Sequence, residues 1–140
     1  MARADCYAPP VPGARIASPQ GWRLRPSGWR WHNGLDLPAA AGTPILAVAP
    51  GTIAYVGTGA EPGSRGYGRT IVIRHAPDWL SVYAHCEAVR ADLGAAVAAA
   101  EQIATVGATG TTSGRPHLHF ETVRSWPLRP DDYASRYDAR

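Results

Sequence analysis

Short apolar segments alternate with turn-forming residues along the middle of the chain. Each segment is rich in β-branched or aromatic residues and is bounded by Gly, Pro or Asp, a pattern typical of strands. Four of them follow one another, at residues 43–50, 51–57, 69–75 and 80–85. Their regular spacing predicts an all-β fold of mostly antiparallel sheets with little helix.

Two other stretches are less regular. The alanines of residues 88–107 favour a helix by propensity, whereas Val97, Ile103 and Val106 around a short turn favour a hairpin. We predict the hairpin. Residues 57–68 form a glycine-rich loop between two predicted strands. Loops of this length are usually functional or mobile, so this one is a candidate wall of a groove.

A turn signal stands earlier in the chain. Asn33 and Gly34 are followed by an apolar and polar alternation that begins at Leu35, which predicts a turn entering a strand. Gly34 and Pro38 argue against a helix here. His32 and Asp36 therefore bracket this turn.

Size and charge limit the function classes. The chain has 140 residues, enough for one domain with a real core. The formal charge of +3 comes without a run of basic residues alternating with aromatic ones, so nucleic acid is not indicated. A weakly cationic surface suits an anionic polymer such as a bacterial cell wall. No apolar stretch approaches the ~20 residues of a membrane span, and we expect a monomer.

The segment "HLHFE" at residues 117–121 concentrates ionisable groups. In a strand, alternation directs His117, His119 and Glu121 to one face. Such a stripe is costly to bury unless water, a metal or a polar network compensates it. Metal and polar network are both open for the two histidines alone.

Histidines from two other segments complete a candidate site. Strand alternation places Tyr83 and His85 on one face, and the first turn supplies His32 and Asp36. His75 stands in no such grouping, so we interpret it as a structural residue.

The spacing of His32 and Asp36, added to the two histidines of "HLH", favours a metal over a polar network. Nitrogen and oxygen donors suit zinc, and a catalytic zinc needs three protein ligands and an open fourth position. Five candidate side chains for three ligand positions leave two histidines over, which favours catalysis because a structural site needs no neighbours able to move protons.

Three segments in order, "HNGLD" at 32–36, "YAH" at 83–85 and "HLHFE" at 117–121, resemble the lysostaphin and LytM type of zinc metallopeptidase. The similarity continues through "GTPILAVAPGTIAYVG" and "VAAAEQIATVGATG" and covers roughly residues 16–124. It implies a lead-in at 1–15, a catalytic domain at 16–126 and a tail at 127–140.

The resemblance implies a β-rich groove with one Zn²⁺ per chain at its floor. Carried over by position, His32, Asp36 and His119 are the metal ligands. His85 and His117 flank the fourth position, where one acts as general base and the other steadies the oxyanion; sequence does not fix which. The implied substrates are peptide bonds of bacterial peptidoglycan, in cross-bridges or stem peptides.

Four more residues are candidates for the groove or for contacts behind the site. Glu121 is expected either to orient an imidazole or to form a surface ion pair. Tyr83 either lines the groove or packs within the sheet. Arg23 matches an arginine that some relatives carry before the first motif. Arg115 is one residue more than the family pattern between the glycine turn and Pro116, so we expect it to alter the turn that delivers His117.

Other departures concern the predicted hairpin and the cysteines. Ala100, Glu101 and Ala104 stand where relatives carry Gly, Gln and Gly, which puts the local turn in question. Cys86 replaces the usual leucine after the second motif. A bridge from Cys86 to Cys6 would tie the lead-in to the groove, while two free thiols are the alternative.

Two other functions compete with the endopeptidase. A catalytically inactive relative that binds cell wall or regulates another hydrolase would be expected to have lost ligands, and none is lost here. A cupin-like iron enzyme also uses histidines and a carboxylate, but its carboxylate typically follows the first histidine by two residues. It would leave His85 and His117 without a role.

We expect action on the cell wall, in the periplasm or outside the cell. The first residues, "MARADCYAPPVPG", have no apolar core of a signal peptide. This predicts either a phage endolysin, an antimicrobial wall-lytic enzyme released by lysis machinery, or a secreted bacterial enzyme without its leader.

Overall fold

The computed structural model describes residues 8–17, 21–25, 28–32, 34–59, 66–112 and 114–127, of which 21–25 and 28–32 are described by backbone alone. The described residues form ten strands and no helix. The predicted all-β class is confirmed. None of the described residues forms a helix long and apolar enough to cross a membrane.

The strands have these bounds: β1 Gly21–Arg25, β2 Gly28–His32, β3 Leu35–Pro38, β4 Pro44–Leu46, β5 Gly51–Gly57, β6 Arg69–Ala76, β7 Trp79–Val89, β8 Ala96–Val97, β9 Gln102–Val106 and β10 His117–Val123. β1 and β2 form a separate antiparallel hairpin. The other eight strands form one antiparallel sheet in the order β3-β10-β7-β6-β5-β8, with β9 paired to both β4 and β7.

The place of β10 between β3 and β7 positions the candidate site. His119 lies opposite Asp36 on β3 and opposite Ala84 on β7. Segments that are 83 residues apart in sequence therefore meet through strand pairing.

The sheet buries an apolar cluster on each face. The larger cluster contains Ile45, Ile71, Ile73, Tyr83 and Leu118, among others. The smaller one is formed by Tyr67, Val72, Leu80, Val82, Ala84 and Val123. Since successive residues of a strand point to opposite faces, Leu118 on the first face puts His119 and Glu121 on the second.

An irregularity in β7 contradicts the prediction that Tyr83 and His85 share a face. Arg69 pairs with Cys86 and Ile71 pairs with Tyr83, so Ala84 and His85 together oppose the single residue Thr70. This is a β-bulge, and His85 has the left-handed φ of 62°. The extra residue shifts the alternation, so Tyr83 packs in the larger cluster while the imidazole of His85 faces the histidines of β10.

The stretch 88–107 is extended, but the predicted hairpin is wrong. β8 pairs with β5, and β9 pairs with β4 and β7. The turn between them forms without the family's glycine, because Ala100 adopts a φ of 66° and the Glu101 carboxylate accepts a hydrogen bond from the Ala98 N–H at 3.0 Å. Ala104 is fully buried in β9.

Cys86 lies in the larger cluster, on the other face of the sheet from the histidines. Burial raises the pKa of its thiol to about 12, and the thiol is free. The free thiol contradicts the bridge to Cys6, a residue that itself lies outside the described part of the chain.

Candidate active site

β10 presents a stripe of ionisable side chains, as the alternation predicts. His119 is 6% exposed and Glu121 is 2% exposed, while His117 is half-buried. Polar partners on two other segments compensate the cost of this burial: Asp36 on β3 and Tyr67 in the loop before β6. The His85 ring on β7 lies beside the His117 ring.

His119 lies between two carboxylates. Its Nδ1 is 3.1 Å from Oδ1 of Asp36, and its Nε2 is 2.8 Å from Oε2 of Glu121. Burial by itself lowers the pKa of His119, but the hydrogen bonds to Asp36 and Glu121, with the charges of both, raise it to about 9. The two carboxylates therefore favour positive charge on this ring.

Glu121 is buried beside Nε2 of His119. It therefore does not form a surface ion pair, which was one of the two arrangements expected from the sequence. Its Oε2 also accepts a hydrogen bond from the Tyr67 hydroxyl. The Tyr67 ring lies 5.1 Å from the His119 ring, centroid to centroid. Tyr67 was missed by the sequence analysis; the available signal was an aromatic residue between Gly66 and Gly68 in the long loop.

His85 is held through both its backbone and its ring. Its N–H donates to the Tyr67 carbonyl at 2.7 Å, and its Nδ1–H donates to the Thr109 carbonyl at 2.8 Å. Burial, with the nearby His119 and His117, lowers the pKa of His85 to about 4. The ring is therefore neutral at pH 7, and its Nε2 is a hydrogen-bond acceptor.

Thr109 was also missed by the sequence analysis. Besides the carbonyl that fixes the His85 ring, its hydroxyl donates to the Cys86 carbonyl at 2.7 Å and accepts from the Arg69 N–H at 3.1 Å. One threonine thus connects the loop before β10 to both β6 and the bulge of β7.

His117 takes a similar pose. Its Nδ1–H donates to the Arg115 carbonyl at 2.9 Å, and its Nε2 is 3.8 Å from Oδ1 of Asp36. The Arg115 side chain is exposed, so the contact of Arg115 with this histidine is made by its backbone. The His117 ring is 4.9 Å from the His85 ring, centroid to centroid.

Two predicted groove residues have different outcomes. Tyr83 is 0% exposed and its ring packs against Phe120 at 5.4 Å, so it packs within the sheet and does not line a groove. Arg23 lies on β1, and its side chain is outside what the structure describes.

The residues present fit a metal in part. Asp36 Oδ1 and His119 Nδ1 converge, and oxygen and nitrogen donors suit zinc. The third predicted ligand, His32, ends β2, and its side chain is outside the described part of the chain. Among described side chains, no group of three His, Cys, Asp or Glu has metal-holding geometry.

The chain matches a family of peptidases over most of its length. The model of peptidase family M23 matches residues 30–130, and the chain belongs to this family. The resemblance of the three motifs is thereby confirmed.

Two relatives of this chain are larger proteins. DD-carboxypeptidase/endopeptidase Mpg of Neisseria meningitidis is 40% identical over 124 residues, 86% of this chain and 27% of Mpg. Murein hydrolase activator NlpD of Escherichia coli is 37% identical over 111 residues, 68% of this chain and 28% of NlpD. The chain thus spans about a quarter of the length of these relatives.

Two solved structures have the same fold. The catalytic domain of a mutant of the prophage-encoded M23 protein EnpA from Enterococcus faecalis superposes with a TM-score of 0.74 and 29% identity, covering 92% of this chain and 98% of that one. A zinc-containing peptidase from Vibrio cholerae gives a TM-score of 0.69 and 31% identity, covering 81% of this chain and 35% of that one.

Proposed function

We propose that this protein is a zinc-dependent endopeptidase that hydrolyses peptide bonds of bacterial peptidoglycan, in the cross-bridge or the stem peptide. The observation that carries the proposal is the convergence of Asp36 and His119 at 3.1 Å, with the rings of His85 and His117 beside them. A bound zinc supplies a Lewis acid that polarises a water and the scissile carbonyl.

In this proposal His32, Asp36 and His119 hold the metal. The Asp36 carboxylate and the Nδ1 of His119 are the two donors whose placement supports it. Glu121, on the far side of the imidazole, accepts the other N–H and so orients the ring.

His85 and His117 move protons and stabilise charge. Each donates its Nδ1–H to a backbone carbonyl, so in the neutral ring the Nε2 can accept a proton. One ring accepts a proton from the attacking water as its oxygen bonds to the carbonyl carbon. The other, protonated, donates a hydrogen bond to the oxyanion. The ring that accepted the proton of the water passes it to the departing nitrogen as the C–N bond breaks.

Substrate class is inferred from relatives and charge. Mpg is named a DD-carboxypeptidase/endopeptidase, and the net charge of +3 favours approach to an anionic wall polymer. The prophage origin of EnpA supports a wall-lytic, antimicrobial role such as that of a phage endolysin. We propose the cell wall, periplasmic or extracellular, as the place of action.

The test is digestion of defined peptidoglycans with mass analysis of the fragments and zinc determination. Asp36→Ala should lose both zinc and activity, whereas Asp78→Ala, which removes an exposed carboxylate in the turn after β6, should keep both. His117→Ala should keep zinc and lose turnover. Release of zinc by His117→Ala together with its retention by His119→Ala would reverse the assigned roles.

The similarity to NlpD favours a second candidate, a non-catalytic activator of another wall hydrolase. An activator would release no fragments from purified peptidoglycan with zinc present, yet would accelerate digestion by a second hydrolase. Zinc-dependent fragments from the isolated protein would exclude this candidate.

A further inference from the structure

The Tyr67 side chain contacts both Glu121 and the His119 ring. It is 9% exposed, and its hydroxyl donates to Oε2 of Glu121, the same oxygen that faces Nε2 of His119. We propose that Tyr67 is a positioning residue for the metal-ligating imidazole: it holds the Glu121 carboxylate in the pose that accepts the Nε2–H of His119 and directs Nδ1 toward Asp36. This rests on the proposed zinc site.

The carboxylate needs such a support. A glutamate side chain has three rotatable bonds and loses considerable freedom when it is fixed. Two hydrogen bonds converge on Oε2 of Glu121, from Tyr67 and His119. The ring of Tyr67 also lies against the imidazole, tilted by 55° at 5.1 Å. Tyr67 therefore restrains both the carboxylate and the ring that the carboxylate orients.

The backbone around Tyr67 is fixed independently of its side chain. Gly68 has a φ of 65°, and a Cβ there would lie 2.4 Å from the Thr109 carbonyl carbon. The Gly66 carbonyl accepts from the Thr111 N–H at 2.8 Å, and the Tyr67 carbonyl accepts from the His85 N–H at 2.7 Å. Removing only the hydroxyl should leave these contacts in place.

The test measures zinc dissociation constants by chelator competition in Tyr67→Phe, Glu121→Gln and the double variant. Partners of metal-bound histidines typically contribute 10–100-fold to metal affinity. We expect Tyr67→Phe to weaken zinc binding about 10-fold and Glu121→Gln by at least as much. Because Tyr67 acts through Glu121, the double variant should be no weaker than Glu121→Gln alone.

Tyr83→Phe is the matched control. Its hydroxyl is also buried and hydrogen-bonded, to Ser81 and the Val48 N–H, but it lies on the other face of the sheet. It should leave zinc affinity unchanged. Thermal melting of each metal-free variant separates a loss of folding from a loss of affinity.

The outcomes distinguish this inference from the proposed function. If the wild type does not bind zinc in a stoichiometric amount, the proposed function fails. If the wild type binds zinc and Tyr67→Phe binds it equally well, only the role of Tyr67 is overturned. The same holds if the losses of zinc affinity in Tyr67→Phe and Glu121→Gln add up in the double variant. Should Tyr67→Phe not fold, ¹⁵N-histidine NMR of the zinc-loaded wild type decides: the inference requires a protonated Nε2 on His119, and a protonated Nδ1 with metal at Nε2 overturns it.

Discussion

Each face of the main sheet carries a histidine whose two ring nitrogens are both hydrogen-bonded, and this histidine is buried on one face and half-buried on the other. On one face His119 lies between Asp36 and Glu121. On the other, His75 Nδ1 donates to the Pro50 carbonyl at 2.8 Å, Nε2 is 2.7 Å from the Ser81 hydroxyl, and the ring lies 4.4 Å from that of Trp79. The two rings differ in the charge of their partners.

The charge of the partners determines the direction in which the pKa of each ring shifts. Carboxylates raise the pKa of His119 to about 9 despite the burial. Neutral oxygens do not offset desolvation, which lowers the pKa of His75 even though the Pro50 carbonyl raises it. A histidine with both ring nitrogens hydrogen-bonded is therefore not by itself a functional site; neighbouring carboxylates make the difference.

The sharpest test of this contrast is the pair His119→Gln and His75→Gln. His119→Gln should lose zinc and reduce peptidoglycan hydrolysis to background. His75→Gln should keep zinc and turnover and lose about 1–3 kcal/mol of unfolding free energy, the cost of leaving buried polar groups unpaired. Zinc content, fragment release and urea denaturation measure the three quantities. A His75→Gln protein that is folded and zinc-loaded but inactive would break the comparison.

His85 shares a lowered pKa with His75 but stands beside the carboxylate site. His85→Ala should reduce kcat by about 10²–10⁴-fold, the usual contribution of a proton-transferring side chain, with zinc retained. Initial rates on a defined muropeptide and metal analysis check this. Turnover within a few-fold of the wild type would remove His85 from the proposed machinery.

The Ser81 hydroxyl bridges His75 and the Tyr83 hydroxyl, at 2.7 Å and 2.8 Å. Ser81→Ala leaves both groups short of a buried partner, so it should lower the free energy of unfolding by about 1–3 kcal/mol. Chelator competition should find zinc affinity equal to that of the wild type. An altered zinc affinity would mean that the two faces are energetically coupled.

The smallest expected effect is the pH dependence that His75 contributes. Its pKa is lowered in the folded state, so below 6.5, the usual histidine value, the unfolded chain binds more protons. The stabilisation is complete above pH 6.5 and declines as the pH falls toward the folded pKa. Melting temperatures between pH 7.5 and 5.5 should fall more for the wild type than for His75→Gln. Parallel curves would contradict this assignment.

Local patterns predicted most of the strands. β5 coincides with the predicted segment 51–57, and β6 and β7 contain theirs. The stripe on β10 also follows from alternation alone. These features depend on residues within one strand, where composition and period carry the information.

The missed features depend on contacts between distant segments. Tyr67 and Glu121 are 54 residues apart, and His85 and Thr109 are 24 apart. The predicted hairpin was wrong because β8 and β9 each find partners elsewhere in the sheet. The sequence pattern of β7 contains no marker for its extra residue, so the relation of Tyr83 and His85 was inverted.

The bulge at Ala84 and His85 makes strand length, and not only residue identity, a determinant of chemistry. Because of the extra residue, the alternation of side chains between the two faces shifts by one residue between Tyr83 and Cys86. Deleting Ala84 would close the bulge and shift the histidine along the strand by up to about 3.3 Å, farther than a proton-transfer contact tolerates. Engineering of this strand must therefore conserve its residue count before any individual side chain.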